Sequence, residues 1–88
     1  MNKQHRKWIA DTIDTYNEIV PKLQEILADL ESIRDEEQEY LDNMPESMQQ
    51  GEKGEMAAEA ISSLEEAKDA LESLLDAEIE GLMDTAAQ

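Results

Sequence analysis

The sequence has no cysteine and no phenylalanine, one histidine, one tryptophan and two tyrosines, and seven lysines and arginines against 23 acidic residues. Without cysteine there is neither a disulfide framework nor a thiolate site for zinc or an iron-sulfur cluster, so no oxidising compartment is needed and an intracellular setting is the expectation. Three glycines and two prolines in 88 residues leave few turn signals, which disfavours a many-stranded sandwich or barrel. The shortage of positive charge, a formal net charge of -16 with pI near 4.1, opposes direct binding of nucleic acid or an anionic membrane, because like charge repels both. No strictly apolar run exceeds three residues, as in Trp8, Ile9 and Ala10, whereas a membrane span needs about 20. The basic opening (Lys3, Arg6, Lys7) is followed by Asp11 and Asp14 where a secretion signal requires an apolar stretch.

The ingredients of catalysis are equally scarce. His5 is the only histidine and lies in the basic opening, so a Ser/His/Asp or Cys/His arrangement has no partners to assemble. Carboxylates abound, but a helical rod has no concave pocket to set their acidity apart. Their runs lack the spacing of a calcium loop, and the segment Gly51 to Gly54 lacks that of a phosphate loop. The expectation is a single domain over 1–88 that is not an enzyme, with no catalytic residue, no cofactor and no metal.

What is present is a helical repeat. A mean hydropathy of -0.69 with high net charge is the composition of a disordered chain, and periodicity decides against that reading. Ile9, Ile13, Tyr16, Val20, Leu23, Leu27, Leu30, Arg34, Glu37, Leu41 and Met44 advance by four and three alternately, and nine of the eleven are apolar. A second row at Ile19, Ile26, Ile33 and Tyr40 advances by seven and widens the apolar face beyond a narrow stripe. The other half repeats the pattern with smaller residues: Ala57, Ala60 with Ile61, Leu64, Ala67, Leu71, Leu74 with Leu75, Ile79, and Leu82 with Met83. Leu64, Leu71, Leu75 and Leu82 are expected to supply most of its burial.

Between the halves, residues 42–55 gather Pro45, Gly51 and Gly54. The predicted fold is all-α: a helix over 3–43, a turn over 44–50 and a helix over 51–84, forming a long antiparallel, coiled-coil-like hairpin. Proline disfavours helical geometry at the residue before it, so the first helix ends near 42 to 44, and Pro45 to Ser47 suit one extra helical turn. Glu52 and Glu55 suit the positive N-terminal end of the second helix. Met44, Met48 and Met56 are expected to plug the closed end. Pro21 lies inside the first seam, where a kink is expected because the seam keeps phase across it; two helices meeting at 19–21 are the alternative. A turn centred near residue 47 sets Leu41 opposite Lys53, Leu30 opposite Leu64, Leu23 opposite Leu71 and Ile13 near Gly81. A lone two-helix hairpin has little core, and the Ile19, Ile26, Ile33 row needs cover, so a homodimer forming a four-helix bundle is a further expectation.

The stretch Ile33-Arg-Asp-Glu-Glu-Gln-Glu-Tyr-Leu-Asp-Asn-Met-Pro-Glu-Ser47, followed by Gly51-Glu-Lys-Gly-Glu55 and Ala60-Ile-Ser-Ser-Leu-Glu-Glu-Ala67, resembles small acidic helical proteins encoded by tailed bacteriophages and related mobile elements. The likeness covers about residues 23–76, and the turn around Tyr40 to Glu46 is its most specific part. It implies a phage-encoded protein in the bacterial host cytoplasm. Many small acidic proteins of that kind bind and disable host defence or repair proteins, including restriction enzymes and CRISPR effectors. No catalytic or binding residue carries over from the resemblance.

Two functions follow. In the first, the chain inhibits a host nucleic-acid-binding protein by presenting carboxylates to its basic surface in place of phosphates. Helical carboxylates three and four residues apart stand about 5 to 6 Å from each other at Cβ, close to the phosphate spacing along a strand. The candidate partner-binding rows are Asp35, Glu39, Asp42 and Glu46 near the turn, and Glu65, Asp69, Glu72, Asp76 and Glu80 along the second helix. In the second, the chain is an assembly or regulatory adaptor that oligomerises through its apolar seam, and the acidity secures solubility.

Overall fold

A computed structural model describes all residues, 1–88. Helices take 88% of the chain and no strand forms. The long helix α1 (Lys3–Asp42) is followed by a single turn, α2 (Glu46–Gln49), then α3 (Glu52–Asp76) and the short α4 (Ile79–Ala86). The molecule is a rod of 67 × 16 × 14 Å with a radius of gyration of 20.0 Å, where a compact chain of this length would have about 12 Å.

Asn2 caps α1, its Oδ1 accepting the His5 N–H at 2.8 Å. The helix then runs unbroken through Pro21, so two helices meeting at 19–21 do not form. Continuity follows from the seam. All eleven residues from Ile9 to Met44 that advance by four and three are half-buried or buried, and in the first 44 residues only Glu31 joins them. A break at Pro21 would throw half of that stripe out of phase with the other arm, at a greater cost than one lost hydrogen bond.

The helix ends at Asp42, one residue before the expected limit, with the Asn43 and Met44 N–H groups donating to the Glu39 and Leu41 carbonyls at 3.0 and 3.1 Å. The extra turn expected after Pro45 forms as α2. Its last residue, Gln49, reaches back: Nε2 donates to the Leu41 and Met44 carbonyls at 3.1 and 3.0 Å, giving the Leu41 carbonyl a second donor and pairing that of Met44 just beyond the helix end. Gly54, in the first turns of α3, lies against the same Gln49; a Cβ there would be 2.6 Å from Gln49 Cα and closer still to its carbonyl oxygen. The four buried residues of the chain, Met44, Gly54, Ala57 and Ile61, all lie at this end. Met48 and Met56, expected to plug it beside Met44, are instead exposed, at 40% and 64%. The close backbone approach of Gln49 and Gly54 shuts this end without them.

α3 runs along α1 in the opposite sense, as shown by Lys68 Nζ at 3.7 Å from Glu31 Oε1 near the middle of the rod and Asn17 Nδ2 donating to Glu80 Oε1 at 3.3 Å farther from the turn. These pairs put the midpoint of the fold-back at residues 48 to 50, not near 47. The expected register is therefore corrected by about one helical turn: Tyr40 shares a groove with Ala57 and Ala60, and Lys68, not Leu64, reaches the level of Leu30. The residues taken up by α2 account for the shift. At the start of α3 the extended Gly51 precedes Glu52 and Glu55, whose carboxylates complement the helix dipole as expected.

The second helix is not one run over 51–84. It breaks at Ala77 and Glu78, where the Ile79 N–H donates to the Ala77 carbonyl at 2.8 Å and Glu78 takes φ -81°, ψ 55°, an inverse γ-turn. The seam supplies the reason. In α3 it follows Ala57, Ile61, Leu64, Lys68, Leu71 and Leu75, and an unbroken helix would bring Glu78 and Leu82 onto α1 next. The break re-phases the chain so that Ile79 and Met83 become half-buried while Leu82 turns out to 70% exposure. Leu82 therefore contributes no burial. Ala67 and Leu74 also point outward, and Lys68 takes the seam position expected for a small residue.

Candidate interaction surface

With seam residues placed at the two facing positions of a seven-residue wheel, the remaining positions divide into two sides of the rod, and the chemistry of these sides differs sharply. One side carries Ile19, Ile26, Ile33 and Tyr40 of α1, exposed at 46%, 48%, 51% and 52%. Beside them on α3 stand Ala60, Ala67 and Leu74, the last at 43%. Tyr40 and Met56 border a shallow open groove with Glu37, Lys53, Ala57 and Ala60, and the Glu31–Lys68 pair sets Tyr40 opposite residue 59, so that Ala60 is its neighbour within the face. Seven-residue steps then set Ile33 beside Ala67 and Ile26 beside Leu74. Over this stretch only Asp29 and Glu36 bring carboxylates to the outer edge of the side, with Lys22 on the same edge and Lys53 within the face.

All the other carboxylates of α1 and α3, apart from Glu37 in the seam, fall on the opposite side or the backs of the helices. Charge is thus segregated across a rod only 16 × 14 Å thick. Of the row near the turn, Asp35 accepts from Arg34 Nη2 at 2.8 Å and Nε at 3.2 Å, and Asp42 accepts from Gln38 at 2.9 Å. Glu39 and Glu46 are exposed and unpartnered. Of the second row, Glu72 lies 3.6 Å from Lys68 and Glu80 accepts from Asn17, while Glu65, Asp69 and Asp76 make neither an ion pair nor a hydrogen bond. Glu80 belongs to α4, beyond the break, so the row Glu65 to Asp76 does not continue through it. The two rows occupy successive lengths of the rod and meet only where Asp35 and Glu65 approach Arg34.

Two cations sit in the seam itself. Lys68 bridges Glu31 and Glu72 across the arms, and Arg34 is held above its ordinary pKa by the hydrogen bond to Asp35, with the charges of Asp35, Glu65 and Glu31 adding. This charged layer and the Gln49–Gly54 latch are structural features that the pattern of apolar residues did not reveal. A lysine at four-and-three spacing between Leu64 and Leu71 was the available signal for the first. No group of three or more His, Asp or Glu side chains is arranged to hold a metal ion, and no helix is long and apolar enough to cross a membrane. Compared with known protein families, curated proteins and solved structures, the chain matches none of them.

Proposed function

We propose that this chain is a non-enzymatic helical adaptor that associates with a second copy through its apolar side, forming a four-helix bundle from two hairpins, and presents its acidic sides outward. One observation carries the reading: in a chain of net charge -16, the side bearing Ile19, Ile26, Ile33, Tyr40 and Leu74 is almost free of carboxylate. A face kept wet for solubility alone has no reason to exclude the commonest side chains of the sequence. The footprint is also large. From Ile19 to Tyr40 the face runs about 32 Å, which with the rod's width gives about 500 Å², at the upper end of the apolar patches tolerated on monomers.

The accessible area points the same way. The chain exposes 6536 Å², whereas a compact protein of 10.0 kDa exposes about 5,200 Å². Covering about 800 Å² per copy, the size of a standard interface, would remove more than half of that excess. Light scattering at tens of micromolar is the test. The parent is expected at twice the chain mass, and Ile26→Glu with Ile33→Glu at one chain mass with its helix content retained; a parent of one chain mass would refute the reading.

A second reading is supported by the acidic sides. Glu39, Glu46, Glu65, Asp69 and Asp76 are free of internal partners and face away from the apolar side, so both surfaces are usable at once. We propose that these rows, with Asp35, Asp42, Glu72 and Glu80 at their margins, contact a basic protein surface in place of nucleic-acid phosphates. The likeness to small acidic phage proteins makes a host defence or repair protein in the bacterial cytoplasm the natural target, and disabling it the natural outcome. Capture of a partner from bacterial lysate, with elution by salt and competition by DNA, tests this. A variant carrying Asp35→Asn, Glu39→Gln and Asp42→Asn, and another carrying Glu65→Gln, Asp69→Asn and Glu72→Gln, should weaken capture in at least one case. Equal binding by both across a range of salt would refute mimicry.

A further inference from the structure

The apolar side is self-complementary in one orientation, and this inference rests on the self-association reading. We propose that two copies lie side by side in the same sense, with both turns at one end, so that the α1 row of each copy seats on α3 of the other.

Two face-to-face arrangements have twofold symmetry. If the axis crosses the rod, α1 packs on α1 and α3 on α3, with the turns at opposite ends. If the axis runs along the rod, α1 of each copy packs on α3 of the other at the same level, and the turns coincide. Side-chain size separates them. Along α1 the face presents Ile26, Ile33 and Tyr40; at the matching levels of α3 it presents Leu74, Ala67 and Ala60. With its axis at the middle of the Ile19 to Tyr40 row, the crossed arrangement sets large residues on large ones along α1, Ile26 on Ile33 and Ile19 on Tyr40, while along α3 Leu74 meets Ala67, and two straight rods cannot be close on one edge and far apart on the other. In the lengthwise arrangement the two edges are alike by symmetry: Ile33 seats on Ala67 and Tyr40 on Ala60, a large residue on a small one, and Ile26 meets Leu74 at the layer farthest from the turns.

Charge gives a smaller and mixed signal. The crossed arrangement would pair Lys22 with the other copy's Glu36 but bring Asp29 against itself near the axis. The lengthwise one sets Asp29 and Glu36 beside Ala70 and Ser63 of α3, and Lys22 at the level of Ala77 and Glu78. Rim pairs of this kind contribute about 0 to 1 kcal/mol, less than the mismatch of several packed layers. The crowded carboxylates of the turn end, Glu39, Asp42, Glu52 and Glu55, lie on the backs and the acidic side, away from the interface, where salt screens them over about 8 Å.

The absence of cysteine makes the test direct. Ser47→Cys, at an exposed position in the turn, is spin-labelled and the distance between the labels of a dimer is measured by pulsed electron spin resonance, with the mass determined on the same sample. The lengthwise arrangement places the two labels within about two rod widths of 16 Å, the crossed one, whose axis lies at the middle of the Ile19 to Tyr40 row, about 50 Å apart. A short distance supports the proposal. A dimer with a long distance overturns it and leaves self-association standing, whereas a monomer overturns both. Ala67→Leu gives an independent readout, because it fills the seat of Ile33. The dimer's dissociation constant should rise at least tenfold, and an unchanged or lower value would overturn the lengthwise packing.

Discussion

Adding one methyl group at Gly54 should destabilise the molecule, although glycine is among the poorest residues for a helix interior. Ala at this position would gain about 1 kcal/mol of helix propensity. Against that, the new Cβ would lie 2.6 Å from Gln49 Cα and nearer to its carbonyl oxygen, contacts that only movement of the α2 backbone relieves. Overpacking of this kind costs about 1 to 3 kcal/mol, and the upper end applies because the obstructing atoms are main chain. Moving Gln49 also endangers its two hydrogen bonds to the Leu41 and Met44 carbonyls, worth about 1 kcal/mol each. The net loss is about 2 kcal/mol, and about 4 if both bonds go, which lowers the Tm of a domain this size by about 8 to 16 °C even at the smaller figure. Gly81→Ala is the internal control. A Cβ there meets only the Glu78 side chain at 3.8 Å, an ordinary contact, so the same substitution should raise Tm by the propensity gain. Thermal melting followed by circular dichroism, at one fixed chain concentration because self-association would couple to stability, reads both. If Gly54→Ala melts at or above the parent, the close approach of Gln49 and Gly54 does not hold the turn.

Two further outcomes are expected. Lys68→Leu removes a half-buried cation from the seam and puts a packed apolar residue in its place, so Tm should stay level or rise by a few degrees; a fall of more than 5 °C, about 1 kcal/mol, would show that the bridge to Glu31 and Glu72 stabilises more than its exposure suggests. Repulsion among 23 carboxylates relaxes as pH falls toward the ordinary carboxylate range near 4, so helix content should persist or rise between pH 7 and pH 5; loss of helix over that interval would refute the charge-repulsion argument.

The first helix was legible almost to the residue because its stripe obeys one rule from Ile9 to Met44, and the cost of leaving the stripe exceeds the cost of Pro21. The exposed Ile19, Ile26, Ile33 and Tyr40 row was legible for the same reason. In the second arm the rule weakens. Its alanines satisfy two adjacent stripes equally well, so Ala67 and Leu74 could be read inward where they face out, and the four-residue step from Leu75 to Ile79 hides a break with no glycine or proline to announce it. Register was illegible for a different reason. It depends on how many residues the turn consumes, and that number is set by contacts between Gln49, Leu41, Met44 and Gly54 that no periodicity encodes. Eight of the nine candidate acidic residues are exposed and Glu72 is half-buried beside Lys68, and the segregation of the nine from the apolar side emerges only once both helices share a register.

Register matters because a seam of leucines and isoleucines repeats every seven residues and would pack nearly as well after a slip of one repeat. Two devices oppose slippage. The latch at the closed end admits α3 only where Gly54 meets Gln49, and any other residue of the first turns carries a Cβ. At mid-rod, Lys68 keeps 21% of its side-chain surface exposed, so its charge costs least where carboxylates surround it, and the observed register sets it between Glu31 and Glu72. A slip of one repeat away from the turn would set it level with Leu23 and Gln24 and leave only its helical neighbour Glu72. The same register aligns Ile26, Ile33 and Tyr40 with Leu74, Ala67 and Ala60, so the polar layer and the latch, which add little core, determine whether the apolar side has the shape that a second copy can fill.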